Sequence, residues 1–451
     1  MSRPAQAQPP FVPAHPPRPE KRGPFWSGFI GERAKSAVSG WSERAFVEPH
    51  IKRRLLGWTV QMPFEPASLK RVLLDNQSNY PKPDIVKKLL APLIGKGLLS
   101  SDGTLWRDQR KIVAASFTPP AVDARIDQFT AAARDTAAQW RAGETIDMSS
   151  VATGTTMAII ADALFGGDPS LKTPEARAAI EDALVAAGAV RLSAVLGLPT
   201  LAWNGKIRRG RRAQRFLRHT LADLVRARGP DGGDDFIGGV IGELRERYEP
   251  GEALALAVDN AATFYVAGHE TTANLLTWAL YLLSEQPDWQ AMLAEEARGT
   301  ALDGDLSAKL PLLRATLDET LRLYPSVPRF DRQAAGEDRL GEYDVATGDI
   351  ISIWPWVLHR HRALWDEPDR FDPTRFLGAR GKAIDRFEYI PFGGGPRTCV
   401  GARFSITEAL AILATWLTGW RFEALPDRSV MPTGMVTLRP EGGLPLTVMR
   451  R

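Results

Sequence analysis

Apolar residues recur at spacings of three and four through most of the chain's middle, which predicts a succession of amphipathic helices. The segments DGTLWRDQRKIVAASF, AVDARIDQFTAAARDTAAQW, TTMAIIADALFG, PEARAAIEDALVAAGAV, RRAQRFLRHTLADLVRARG and FIGGVIGELRERY all carry the pattern. The longest run, PGEALALAVDNAATFYVAGHETTANLLTWALYLLSEQP, opens on Pro250 and Gly251, and PDGGDD reads as a loop between two of the helices. PLLRATLDETLRLYP is a further helix, stopped by Pro325. Strand patterning is confined to short stretches. VQMPFEPASLKRVLLDN reads as strand, turn and helix, while DIISIWPW, VTLRP and LPLTVM read as strands. The expectation is a mainly helical α+β fold with a minor sheet drawn from the two ends of the sequence.

Composition narrows this further. With 451 residues, 44% hydrophobic and 24% charged, the chain can bury a large core. No central linker, repeat or composition break divides it, so one large domain is expected over residues 25–451. Residues 1–24 are rich in proline and are expected to form a poorly ordered arm. The formal charge of +4 is spread among acids, which argues against nucleic acid as a partner. NLLTWALYLL and ALAILATWLTGW are too short to span a bilayer, and the N-terminus lacks the apolar stretch of a signal peptide. No integral membrane segment is expected. A single cysteine makes no internal disulfide, so a cytoplasmic location is the default.

That cysteine, Cys399, lies in FGGGPRTCVG. A phosphate cradle would need a lysine and a hydroxyl residue after its second glycine, and that order is missing. A structural thiol and a metal-bound thiolate both remain open. One cysteine cannot build a zinc or iron–sulfur site, and His359 and His361 lie about forty residues upstream with no zinc-like spacing. One thiolate does suffice to hold haem iron from one side. Gly393, Gly394, Gly395 and Gly401 would let backbone approach a flat macrocycle. Cys399 opens the helix ARFSITEALAILATWL, where free N–H groups and the helix dipole favour a negative sulfur, and Arg397 could meet a haem propionate.

At this point the sequence resembles the cytochrome P-450 family of haem-thiolate monooxygenases. Phe392, Gly395, Arg397, Cys399 and Gly401 match the family's haem-binding pattern in full, with Gly393 inside it. AGHETT, residues 267–272, resembles the oxygen-activation motif. There Ala267 and Thr271 share a helical face, Gly268 is expected to weaken the hydrogen-bond ladder, and Glu270 sets an acid beside the Thr271 alcohol for proton delivery. Glu319 and Arg322 of ETLR, with Arg375 of FDPTRF, resemble the family's structural triad, although Thr374 stands where the family usually has Glu. Trp106 and Arg110 of LWRDQR match the propionate-binding pair, and Arg332 matches another propionate arginine.

The resemblance spans roughly residue 25 to the C-terminus, and it implies the family fold with haem buried between the long central helix and the cysteine-loop helix. It implies haem b as cofactor, with the Cys399 thiolate favouring oxygen–oxygen bond cleavage, and O2 as co-substrate. The reaction implied is insertion of one oxygen atom into a small hydrophobic substrate, by hydroxylation or epoxidation. Leu99, Val327, Arg329 and Val436 are the candidate pocket, with Arg329 a possible carboxylate ligand. No flavin or dinucleotide-binding pattern follows the last strands, so a separate electron donor is expected, either a ferredoxin with its reductase or a flavoprotein. Arg107, Lys111 and Arg403 would suit an acidic partner. A monomer is expected. A peroxide-driven oxygenase, an isomerase and a haem sensor or carrier are the alternatives; the intact Glu270–Thr271 pair weighs against the first two.

Overall fold

The computed structural model describes residues 11–20, 36–55, 57–189, 205–228, 235–426 and 428–451; the PDGGDD loop before Asp235 falls outside them. The first elements are a hairpin of β1 (His50–Leu55) and β2 (Trp58–Pro63), followed by helices α1 (Asp84–Ile94), α2 (Gly103–Ala114) and α3 (Ile126–Ala137). Strand β3 (Glu144–Asp147) leads into α4 (Met148–Phe165), α5 (Pro174–Ala189), α6 (Gly205–Ala227), α7 (Phe236–Arg247) and the 35-residue α8 (Pro250–Ser284). After α9 (Pro287–Arg298) and α10 (Pro311–Leu323) come β4 (Phe330–Gln333) and β5 (Ile350–Ile353). The chain closes with α11 (Ala402–Gly419), β6 (Trp420–Ala424) and β7 (Pro445–Arg450).

The mainly helical expectation holds, and the sheets are arranged differently from it. The larger sheet has the order β1-β2-β5-β4, with β2 and β5 parallel through Val60–Ile350 and Gln61–Ile351. The N-terminal hairpin therefore pairs with the segment after α10 and not with the C-terminus. β3, β7 and β6 make a separate antiparallel sheet.

α8 is the axis of the core. It packs against α4, α7, α10 and α11, and nearly every residue from Ala253 to Leu283 is buried. A helix apolar on all sides has to be surrounded by protein. Gly268 does not interrupt it. A Cβ there would lie 2.8 Å from Ile160 Cδ1, so this glycine lets α4 approach closely. α4 is also long and apolar enough to cross a membrane by length and composition, and 61% of it is buried inside the protein.

Of the proline-rich arm expected to be poorly ordered, residues 11–20 are described and lie docked on the helical core, and residues 1–10 and 21–24 fall outside the described residues. Ala14 N donates to Tyr281 Oη at 3.1 Å, and Tyr324 Oη donates to Ala14 O at 2.6 Å. Arg18 pairs with Asp369 at 2.5 Å and stacks 4.0 Å from the Phe46 ring centroid. Proline lowers the entropy an extended segment loses on docking, and buried aromatic hydroxyls supply its partners.

Candidate active site

In the buried length of α8 one stretch opens. Ala267 is exposed, and Gly268, Glu270 and Thr271 are half-buried, while their neighbours on both sides are buried. Solvent-accessible surface halfway along a core helix marks an internal cleft. Thr271 Oγ1 donates to Ala267 O at 3.0 Å, which leaves its oxygen free to accept a further bond. Glu270 turns toward Thr437, whose hydroxyl donates to Oε1 at 2.6 Å, and its Oε2 is buried without a partner. Burial pushes the Glu270 carboxyl above its ordinary range, opposed by Thr437 and by the charge of Arg439.

Cys399 combines two properties that rarely meet. Its side chain is exposed, yet the sulfur lies deep enough that burial pushes its pKa up. Both hold for a residue that faces a cleft and not bulk solvent. The Gly401 N–H at the expected helix entrance donates to the sulfur, and Arg110, expected at a propionate, is close enough for its charge to favour the thiolate. Burial nevertheless outweighs them, so the thiol is less acidic than a free one, not more; a bound metal ion would reverse that. The loop itself is held by backbone bonds, Cys399 N to Phe392 O at 2.9 Å and Gly393 N to Ile390 O at 3.0 Å. The glycines serve the protein as well as any ring. Gly395 has φ +67°, and a Cβ there would sit 1.8 Å from Leu73 O.

The cleft at α8 and the loop belong to one junction. Thr272, beside Thr271, is 2.9 Å from Ser405 Oγ, and Ser405 N donates to Gly401 O at 2.8 Å. Gly401 also lies against Phe117, whose ring stacks on Phe264 of α8 at 5.7 Å.

Beside the loop is a crowd of cations. Arg397 bonds Ser101 O at 3.0 Å, pairs with Asp102, and stacks 4.2 Å above the Trp106 ring. Arg332 is buried and its pKa falls to about 10 through burial and then the charge of Arg397. Arg110, one turn beyond Trp106, is lowered by burial. Lys82 joins them, a residue the motifs did not reveal. Burial first, then Arg397 and Arg332, bring its pKa to about 7. Its ammonium donates to Leu99 O, and the only sequence sign is its place between Pro81 and Pro83, which fix its backbone. Asp102 and, beside Arg332, Asp331 are the acids whose charge reaches this group, and Asp102 also holds Lys87 at 2.8 Å. So much buried positive charge calls for anions. A haem fits: one reachable sulfur for the iron, a cleft bordered by Ala267, and Lys82, Arg110, Arg332 and Arg397 for two propionates.

The remaining candidates divide. Val327 and Val436 are half-buried and Leu99 is 43% exposed. Arg329 is already matched, with Nε 2.8 Å from Asp331 Oδ1 and its guanidinium 4.9 Å from the Trp354 ring. It therefore carries no unanswered charge for a substrate carboxylate. Arg403 is likewise bonded to Asp123 at 2.9 Å, whereas Arg107 and Lys111 are exposed on α2. Glu319 and Arg322 are fully buried and bidentate at 2.6 and 2.8 Å, and Arg375 approaches Glu319 to 3.7 Å.

Glu408 is a second residue that sequence reasoning missed. It is fully buried on α11 with neither carboxylate oxygen in a hydrogen bond of good geometry, although the Thr272 hydroxyl lies near. Burial pushes its carboxyl well above the ordinary range. A raised carboxyl pKa contributes stability below about pH 4.5 that is lost as pH rises through the folded value. Glu408→Gln should therefore stabilise the protein, by an amount that grows from about pH 4.5 upward. Urea midpoints at pH 5 and pH 8 test this; a variant weaker than the parent at pH 8 would mean that the carboxylate is ionised and needed.

The cytochrome P-450 family model matches residues 44–445. Cyclooctatin synthase of Streptomyces melanosporofaciens is 32% identical over 403 residues, covering 86% of this chain and 86% of that protein. Pentalenene oxygenase of Streptomyces avermitilis is 31% identical over 403 residues, with 86% and 87% covered. The chloroplastic protein LUTEIN DEFICIENT 5 of Arabidopsis thaliana is 30% identical over 416 residues, with 86% and 69% covered.

Proposed function

The chain belongs to the cytochrome P-450 family of monooxygenases, and from that premise we propose that it uses haem b and O2 to insert one oxygen atom into an apolar organic substrate. One observation carries the reading: the Cys399 sulfur is deep in the protein yet reachable, at the junction that also holds Ala267 and Thr271. Haem supplies the oxygen chemistry when bound, and the chain's own residues do the rest. Cys399 would ligate the iron as thiolate, with the Gly401 N–H and Arg110 easing its negative charge. Lys82, Arg110, Arg332 and Arg397 would hold the propionates. Thr271 has the free oxygen lone pair, and Glu270 the raised pKa, that a proton relay needs. The Thr437 contact means that Glu270 must swing away before it can pass a proton toward the cleft.

Electrons would come from a separate protein. Arg107 and Lys111, exposed one residue beyond Trp106 and Arg110 respectively, suit an acidic donor, and with its sole cysteine committed to iron the protein would work in a reducing compartment such as the cytoplasm. The half-buried valines at 327 and 436 favour a hydrocarbon ligand, and pentalenene, named for one relative's oxygenase, is the first compound to screen.

The reading is tested by the difference spectrum of the reduced, haem-loaded protein with and without carbon monoxide. A red-shifted Soret band is expected; its absence in folded protein would favour a carrier or sensor. Thr271→Ala should leave that band in place and send a larger share of consumed reductant to hydrogen peroxide. Unchanged coupling of electrons to product would remove Thr271 from the relay.

A further inference from the structure

A basic groove opens on the other side of α8. It runs between α6 and the first turns of α8, is lined also by Pro92 of α1, and has a volume of about 780 Å³, in the range of small-molecule sites. Helix α6 carries seven arginines and one lysine against a single acid, Asp223. Arg211, Arg215, Arg218 and Arg226 line the groove from one face of α6, and Ala222 leaves space between the last two. The floor is Leu254 and Val258, and the lining holds no Asp or Glu. Val258 and Ala267 are nine residues apart, which sets them on opposite faces of α8 and roughly 13 Å apart along it. The groove is thus distinct from the cleft at Cys399.

Not all of this charge is answered from within. Arg218 is 2.8 Å from Asp259, and Arg226 is 3.1 Å from Asp223 in an exposed pair. Arg215 is exposed and, among the described residues, makes no hydrogen bond or ion pair. Arginines that served only to keep a helix in water would need no apolar floor beneath them. An inorganic anion would leave that floor wet, and a neutral hydrocarbon would leave the arginines unmatched.

We propose that this groove binds an amphipathic organic anion, with its hydrocarbon on Leu254 and Val258 and its carboxylate or phosphate on Arg215. The site stands apart from the haem reading and survives its failure. Equilibrium dialysis of the holoprotein, with the iron blocked by saturating imidazole, tests it. Dodecanoate or dodecyl phosphate should bind at one site, and preference between the two identifies the head group. Dodecanol and acetate should each bind at least about tenfold more weakly, and Arg215→Glu should cost about tenfold while Arg215→Lys keeps most of the affinity. Ala222→Leu should weaken binding by filling the groove. Equal binding of dodecanol, indifference to Arg215→Glu, or loss of all binding when imidazole is present would overturn the proposal.

Discussion

Cys399→Ser should give a folded protein that has lost the red-shifted carbon monoxide band and whose monooxygenation has fallen to background. The fold should survive because the one loop bond to the sulfur, from the Gly401 N–H, can pass to a serine oxygen, and the other bonds of the loop do not involve that side chain. Cys399 N bonds Phe392 O at 2.9 Å, Thr398 Oγ1 bonds Gly395 O at 2.7 Å, and Arg397 bonds Ser101 O at 3.0 Å. A serine oxygen keeps all three and is close in size. What it cannot do is ionise as a thiol does, and the thiolate is the form that ligates metal. Circular dichroism and urea unfolding would check the fold, and the spectrum and product formation would check the ligand. Retention of both band and turnover would show that Cys399 is not the iron ligand.

The chemistry of this site was more legible in the sequence than its energetics. Cys399, Ala267 and Thr271 lie in local motifs, and local spacing is visible in a string of letters. The Glu319–Arg322 pair shows why burial is not. Three residues apart, it looks the same whether the face is wet or dry, and only the packing of the turn Pro373–Phe376 against α10 decides that. The Cys399 thiol is a similar case, since helix entrance and basic neighbours predict a lowered pKa and burial reverses the sign. Gly395 invited a reading in terms of a cofactor, yet its nearest constraint is the Leu73 carbonyl, over three hundred residues earlier. Lys82 entered no motif because its partners, Arg332 and Arg397, are equally remote. In each case the missing information was a long-range contact that converts an ordinary residue into a buried charge or a steric limit.

Glu319→Gln should destabilise the protein by about 3–5 kcal/mol, the scale for breaking a buried ion pair, whereas an exposed pair at this spacing would cost under about 1 kcal/mol. Both side chains have no solvent exposure, so the Arg322 charge would lose the carboxylate it is paired with while Arg375 adds a second positive charge nearby. The damage would spread beyond the pair. Arg322 donates to the carbonyls of His359 at 2.8 Å, Pro368 at 2.6 Å and Arg370 at 3.0 Å, and Glu319 accepts from Asp372 N at 2.8 Å. His359 in turn accepts from Ile390 N at 2.9 Å, and Ile390 O accepts from Gly393 N, inside the cysteine loop. The bond from Ile390 N to His359 needs a neutral imidazole, which burial and then Arg322 and Arg360 secure by lowering the His359 pKa to about 3. The variant should therefore lose haem more readily as well as unfold at lower urea, two readouts that a purely local ion pair would not couple. Replacing both partners, as Glu319→Gln with Arg322→Met, should cost less than the sum of the single changes, because the Arg322 charge is no longer left without its carboxylate. Additive costs, or a single-variant loss below about 1 kcal/mol, would mean that the pair does not hold the cysteine loop from behind.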